Sequence, residues 1–483
     1  VLASARLANQ AIAFVGPVLL VRLLSVEQYG EYRDFVLYAV LLLPLVQLTL
    51  SSSLAYFVPK EPEHERIFVS QVHFLVLCSS LVVAGLLLAF GSHLPSPVVR
   101  GHVVPLCLYL LFSANFDAWE VYWLAKRRVA TVLYYSIARL GLRLAVVVGT
   151  AYLTRSVEHV IWALVAFEGL RMGALVLYAL RGGFITVGRR FDMLKRQLEY
   201  SLPLGASSIV YHANVYLGQF FVSMMLGPAA LAVYSVGTYL QPVIQVFRNS
   251  VADVIMPEIV SRRDVPPSEA LGLWQRATVV YCAVMLPLAV VLAYYADVIV
   301  NTLFTSAYAA AVPIFQIYVL LLVRECFDLG LPLRALNHTR VFLPGGVLSL
   351  LVNIGVMLLL FEPLGLLAPA VAMVVARVVA GVYLAVFVVR HGGFSASSML
   401  PWSDMAKAAA ISVLCAPILV LGDAFDAPGL VRAAVFGTAY LAACFLFTGV
   451  AGVPEIRLAA MRVRAQTWGL IRPIPAAKGG AGR

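Results

Sequence analysis

Residues 67–91 read IFVSQVHFLVLCSSLVVAGLLLAFG, a run without one Asp, Glu, Lys or Arg. As a helix it would extend about 37 Å at 1.5 Å per residue, more than the roughly 30 Å hydrocarbon core of a bilayer. A helix that is apolar all round must be buried in protein or in lipid. The same texture fills the chain. Of its 483 residues, 62% are hydrophobic and 12% charged, against about 45–50% and 25% in a soluble domain. That excludes an ordinary soluble enzyme. Fourteen spans would use roughly 280–320 residues, leaving room for little else.

The apolar runs predict fourteen helical segments, at 3–23, 33–57, 67–91, 103–124, 130–153, 158–180, 198–226, 230–256, 274–298, 309–332, 341–361, 365–389, 404–422 and 429–449. Pro and Gly interrupt many of them, as at Gly16-Pro17, Pro44, Pro203, Pro242, Pro287, Pro313 and Pro344. Membrane transporters tolerate such breaks where neighbouring helices or cavity water take up the freed backbone groups. The first run holds Arg6 and flows into a second span, which argues against a cleaved signal peptide.

The net charge of +11 reads as topology. With the N-terminus placed in the cytoplasm, 23 Lys and Arg fall in the inner loops and tail, and five (Arg22, Arg33, Arg100, Arg155 and Arg432) fall outside. The asymmetry fits the positive-inside rule and an even number of spans. No exposed basic cluster is interleaved with aromatics, so nucleic acid is not expected. Cys78, Cys107, Cys282, Cys326, Cys415 and Cys444 all sit within apolar runs, without disulfide or zinc spacing.

The chain repeats itself. Leu24 and Tyr32 match Leu226 and Tyr234 at an offset of 202, and Phe116-Asp117 matches Phe327-Asp328 at 211. Six segments separate the copies, so both cross the membrane in the same direction. The expected organisation is an N-lobe at 1–180, a basic cytoplasmic linker at 181–197 and a C-lobe at 198–390. Two appended helices at 391–449 and a basic cytoplasmic tail at 450–483 follow. The two six-helix lobes are expected to face a central cavity.

Val21-Arg22-Leu23-Leu24-Ser25 leads through Tyr29-Gly30-Glu31-Tyr32 to a helix ending near Pro59. Tyr200-Ser201-Leu202-Pro203-Leu204, Leu226-Gly227-Pro228, Pro257-Glu258, Ala335-Leu336-Asn337-His338, a helix containing Asn353, and Gly365-Leu366-Leu367-Ala368-Pro369 follow in order. This series resembles the polysaccharide transporter family, the Wzx-type flippases of the multidrug/oligosaccharidyl-lipid/polysaccharide (MOP) superfamily. The resemblance implies an all-α polytopic protein of the bacterial inner membrane with both termini cytoplasmic. It implies transfer of polyprenyl-pyrophosphate-linked oligosaccharide by alternating access. The partners implied are that substrate, membrane lipid and other polysaccharide-assembly membrane proteins; the two internal lobes, which would already enclose a cavity, give a monomer as the expected working unit, with no cofactor or metal. One departure stands out: the family commonly carries an Asp on the seventh helix where this chain has Gly218-Gln219.

Charges inside spans are costly and point to function. Six arginines (139, 143, 171, 248, 324 and 377) meet six acids (Asp117, Glu120, Glu168, Asp253, Glu325 and Asp328). The spacing predicts in-helix pairs for Arg171 with Glu168 and for Arg324 with Asp328. Arg139, Arg143, Arg248 and Arg377 have no acid three or four residues away. They are candidates for a phosphate clamp, since guanidinium forks fit phosphate oxygens. The alternative is that they bridge helices to Asp117, Glu120, Asp253 or Glu325. Asp117 and Asp328, at matched places in the repeat, are candidate ion-coupling or gating residues, or else caps and inter-helix bonds. His73 and His212 are spacers or relays.

No GxxxxGK[ST] phosphate loop is present, so the expected drive is membrane potential or an ion gradient. Other readings are a lipid II-type flippase, a drug/cation antiporter of the same superfamily, or a membrane polysaccharide polymerase or ligase. The last needs catalytic residues gathered on substantial outer loops, which are short here. The antiporter predicts acids in segments one and seven, where only Glu199 is found, at a helix mouth.

Overall fold

The computed structural model describes residues 2–114, 116–185, 190–240, 252, 255–261 and 265–450, and among these it is helical with no strand. In chain order the principal helices are α1 (Leu2–Leu23), α2 (Val26–Gln47), α3 (Leu50–Lys60), α4 (Glu65–Phe90), α5 (Val103–Ser113), α6 (Phe116–Ala125), α7 (Val129–Thr154), α8 (Val157–Arg181) and α9 (Phe191–Gly237). They continue as α10 (Gly272–Tyr294), α11 (Ala296–Phe304), α12 (Val312–Glu325), α13 (Gly330–Ala335), α14 (Phe342–Leu364), α15 (Ala368–Gly392), α16 (Trp402–Leu414) and α17 (Gly429–Val450).

Nine helical stretches among the described residues are long and apolar enough to cross a membrane, and the bent pair α2/α3 makes a tenth. Two of the nine, Phe191–Gly237 and Thr339–Gly392, each take in two expected segments. Gly227 breaks the first with φ 82° and Gly365 the second with φ 49°. Segments one and four fall on α1 and on the α5/α6 pair, so each of the fourteen expected segments falls mainly on helix where it is described, with breaks inside some of them, as at residues 48–49 and 326–329. The outward surface confirms the solvent: Leu153, Leu170, Leu359 and Leu414 are each more than 75% exposed. Apolar exposure on that scale suits lipid and not water.

Contacts divide the chain into two compact units. The first comprises Val1–Gln245, Ile299–Tyr318 and Thr339–Tyr383; the second comprises Val246–Val298, Val319–His338 and Leu384–Arg483. In the first, Val46, Leu54, Phe57, Phe68, Trp119 and Trp123 form a buried core. The bend that brings α3 into it is local: Leu48 and Thr49 take left-handed φ of 45° and 52°, and the two helices meet at 41°. In the second unit, Val279 and Ala283 of α10 pack with Ala408 of α16, and the Tyr440 hydroxyl of α17 donates to the Ser412 carbonyl at 2.7 Å.

The start of α2 differs from expectation. Ser25 and Gln28 form a capping box, with the Gln28 amide donating to Ser25 Oγ at 3.2 Å and the Ser25 amide to Gln28 Oε1 at 3.1 Å. The helix therefore begins at Val26 and not at 33. Arg33 and Asp34, assigned to an outer loop and its boundary, lie two turns inside it.

Candidate functional site

Two arrangements in the first unit carry chemistry. One is the contact between α2/α3 and α9, which is bonded at both of its ends.

At one end the Asp34 carboxylate, 1% exposed, accepts from Ser223 at 2.5 Å and from Ser96. Ser96 itself caps the short helix Pro97–Gly101, accepting from the Val99 amide at 3.2 Å. Beside them Arg33 donates to Gln219 Oε1 at 3.2 Å, and Gln219 donates to Thr238 Oγ1 at 3.4 Å. Gly30 is required by close approach, because a methyl there would lie 2.0 Å from the Pro228 carbonyl oxygen. At the other end Arg196 pairs with Glu61 through two bonds, one of them 3.2 Å. Gln197 donates to Ser53 Oγ and to the Phe68 carbonyl, each at 3.3 Å. Thr49 donates to the Ser201 carbonyl at 3.1 Å, and the rings of Tyr56 and Tyr200 stack at 5.3 Å. The Arg196 guanidinium beside Glu61 holds that carboxyl below its ordinary value.

The second arrangement is a polar network on α5 to α8. Glu120 pairs with Arg139 at 3.2 Å and accepts from Ser136 at 3.2 Å. Glu168 pairs with Arg171 at 2.6 Å, as the spacing predicted, and Arg171 also reaches the Tyr135 hydroxyl and the Phe112 carbonyl at 3.2 Å each. Arg143 is different. It donates to the Tyr109 hydroxyl at 3.3 Å, with its guanidinium 6.0 Å from that ring's centre. Among the described residues no carboxylate lies within ion-pair distance of it.

The other predicted site residues are dispersed. Arg377 sits 6.0 Å from the ring centre of Tyr211 on α9. Arg248, with Gln241, Gln245 and Asp253, lies outside the described residues, as does the tail from 451. Asp117, in the first turn of α6, accepts from Gln47 at 2.9 Å. Asp328, in the second unit, accepts from the Gly330 amide at 3.2 Å and lies 3.5 Å from Arg334. Asp117 thus stands at the start of a short helix, and Asp328 lies between the end of α12 and the start of α13. The expected Arg324–Asp328 pair is not formed as an in-helix pair. Helix α12 ends at Glu325, so the 3.6-residue period that would align the two is lost, and Arg324 meets Glu325 at 3.4 Å instead. His73 and His212 each engage the carbonyl four residues earlier, Val69 and Ser208, at 2.8 Å.

Two groups escaped the sequence reading. Asp34 was hidden by a helix start placed seven residues late, although the Ser25-x-x-Gln28 pattern marked the cap. A neutral cluster on α9 and α14 left no charge signal: Asn214 donates to Ser349 at 2.8 Å, and Asn353 donates to Asn214 Oδ1 at 2.9 Å, all three buried.

A family model described as polysaccharide biosynthesis protein matches residues 19–313. No curated protein sequence matches. Among solved structures, the lipid II flippase MurJ in an inward closed conformation aligns with a TM-score of 0.75 at 16% identity, over 92% of this chain and 98% of that one. An inward-facing multidrug resistance MATE transporter of the MOP superfamily aligns at 0.61 and 13% identity, over 82% and 98%. A MOP superfamily transporter from Pyrococcus furiosus aligns at 0.56 and 13%, over 82% and 94%. At these identities the likeness establishes the fold alone.

Proposed function

The chain belongs to the polysaccharide biosynthesis protein family, and from that premise we propose that it is a flippase for polyprenyl-pyrophosphate-linked oligosaccharide. Its place is the bacterial inner membrane and its product feeds O-antigen, capsule or exopolysaccharide assembly. The family and the MurJ-like and MATE-like fold support a transporter. The two-lobe organisation of the proposal rests on the repeat in the sequence.

The observation that carries the substrate class is Arg143. Arg139 and Arg171 each have a carboxylate in contact, whereas Arg143 has a neutral phenol. A phenol orients the guanidinium without cancelling its charge. An incoming diphosphate meets a cation whose desolvation is already met by the fold, and the fork geometry suits phosphate oxygens. Arg377, over a tyrosine ring, and Arg248 complete the proposed clamp. Asp117 and Asp328 are the proposed coupling or gating acids.

The α2–α9 contact supplies the moving part of the proposal. Bonded at both ends, it holds the passage shut. Release of the Glu61–Arg196 end admits substrate from the cytoplasm, and release of the Asp34–Ser223 end discharges it. Glycan hydroxyls cost several kcal/mol each to bury unpaired, so the headgroup takes the polar route and the polyprenyl chain stays in lipid. A membrane potential contributes about 2.3 kcal/mol per charge per 100 mV, favouring exit of an anionic headgroup from a negative interior.

Lipid II, on which the MurJ neighbour acts, shares the diphosphate chemistry and is the second reading. Deleting the gene and assigning accumulated lipid-linked glycans to a leaflet tests both. Finished oligosaccharide units trapped on the cytoplasmic face support the first, and trapped lipid II supports the second. Single units that reach the outer face and stay unpolymerised would replace both with a polymerase.

A further inference from the structure

A cavity of about 600 Å³ opens on the flank of the first unit, between α4, α6, α8 and the start of α9. That volume falls within the roughly 300–1,000 Å³ of small-molecule sites. None of the described clamp or gate residues lines it. Its wall is mostly apolar, Val69, Phe191 and Leu194 included, with its few polar groups gathered toward one end. Ser70, Gln71 and Arg190 form one end, and Gln71 Nε2 donates to the Arg190 carbonyl at 2.9 Å. Phe74, Leu77, Met172 and Val176 form the other. From Gln71 to Leu77 the helix rises about 9 Å, so the polar groups and the fully apolar end lie within the depth of one leaflet. The lip is open: Phe74 is 60% exposed and Phe191 72%.

The polar end is basic. Arg190 lines it, and the Arg66 guanidinium lies against Gly183, beside Phe184 of the wall. His73 stands between the two ends, its ring 5.0 Å from that of Trp119. Its Nδ1 is engaged with the Val69 carbonyl at 2.8 Å and therefore carries the hydrogen. Nε2 is then an acceptor; it is buried and has no partner in the protein. The wall asks three things of an occupant: an anion for Arg190, a hydroxyl to donate to His73, and a hydrocarbon chain for the apolar end.

We propose that this cavity binds one anionic phospholipid with a hydroxyl-bearing headgroup, of the phosphatidylglycerol type, from the leaflet on the basic side. Its phosphate meets Arg190, a headgroup hydroxyl donates to His73 Nε2, and one acyl chain lies along Phe74, Leu77 and Met172. Phosphatidylcholine lacks both the net charge and the hydroxyl, phosphatidate lacks the glycerol hydroxyls, and a bare isoprenoid phosphate offers no hydroxyl donor beyond its phosphate; a lipid-linked oligosaccharide meets all three demands and is told apart by the mass of the retained lipid.

The test uses the full chain in phosphatidylcholine vesicles doped with one acyl-brominated lipid at a time. Quenching of Trp119, which lines the cavity, is isolated by subtracting the signal of Trp119→Phe. Brominated phosphatidylglycerol should quench at a severalfold lower mole fraction than brominated phosphatidylcholine. Arg190→Gln, on an exposed side chain, should abolish that preference, and His73→Phe should erase the preference for phosphatidylglycerol over phosphatidate while keeping the preference for anions. Native mass spectrometry of detergent-purified wild type should show one retained phosphatidylglycerol, lost in Arg190→Gln. Equal quenching by phosphatidylglycerol and phosphatidylcholine, an unchanged preference in Arg190→Gln, or a retained polyprenyl phosphate in place of phospholipid would each overturn the assignment. Failure here leaves the flippase reading untouched, because that reading is judged on glycan accumulation.

Discussion

The carboxylate of Asp34 on α2 accepts a hydrogen bond from Ser223 on α9 at 2.5 Å, in a setting that leaves Asp34 1% exposed. The two residues are 189 positions apart in the chain, and their bond closes one end of the contact between α2/α3 and α9. Removing the acceptor leaves two serine hydroxyls, Ser223 and Ser96, without it. An unsatisfied buried hydroxyl costs about 1–3 kcal/mol. Asp34→Ala should therefore lower the melting temperature in detergent and cut transport at least tenfold, whereas Asp34→Asn, which keeps an acceptor, should retain more of both. Thermal unfolding of the two variants side by side checks the order.

Gly30 faces the Pro228 carbonyl too closely for any side chain. Gly30→Val should force this end apart. A cysteine at Ser223 would then react faster with a membrane-impermeant thiol reagent than in the Gly30 background. The native cysteines are buried or half-buried, so their background is low. Equal labelling rates in the two backgrounds would show that the end does not open this way.

Arg139 and Arg143 should behave differently although they lie one turn apart. Arg139→Ala removes the cation from Glu120, 20% exposed, and leaves it Ser136 alone; breaking such a half-buried pair costs about 1–3 kcal/mol, between the surface and the buried cases. Its main effect should be lost abundance, regained when Glu120→Leu is added. Arg143→Ala strands no acid. It should leave abundance near wild type and abolish transport. Wild-type transport by Arg143→Ala would remove the proposed clamp.

Glu61, outside the spans, has its carboxyl held low by Arg196. A group with a depressed folded value contributes stability above its unfolded value, about 4.3, and loses it as pH falls through the folded value. The Glu61–Arg196 end should thus hold from neutrality down to about 4.3 and weaken below it. Melting temperature against pH should show that acid limb, shallower in Glu61→Gln. An identical limb in the variant would assign the acid sensitivity elsewhere.

Asp117 and Asp328 separate coupling from capping. Asn at either position keeps an acceptor for Gln47 or for the Gly330 amide. If the acids couple, Asp117→Asn or Asp328→Asn should shift the pH or ion dependence of transport in reconstituted vesicles while the melting temperature changes little. An unshifted profile in both returns them to structural roles.

The fold class was legible because lipid imposes a one-dimensional rule. Every span must hide its backbone in a helix of about 20 apolar residues, and that length can be counted along the chain, as residues 67–91 show. The Glu168–Arg171 pair was legible for the same reason, since both partners sit on one helix three residues apart. Asp34 was legible in part, through a cap pattern at Ser25 and Gln28. Of the Asn214–Asn353 cluster the family resemblance marks Asn353 alone; the pairing left no sign, because neutral amides in apolar runs resemble any other polar substitution.

By itself the sequence determined the membrane environment, the helical spans and the family resemblance, all of which follow from periodicity and local order. Only the tertiary structure decided that Arg139 meets Glu120 while Arg143 meets a phenol, that Arg324 turns to Glu325, and that Asp34 reaches Ser223 across 189 residues. The physical reason is that an ion pair or buried hydrogen bond depends on which helix faces which, to within an ångström. Hydropathy fixes that a helix crosses the bilayer, but its rotation about its own axis is set by packing against its neighbours.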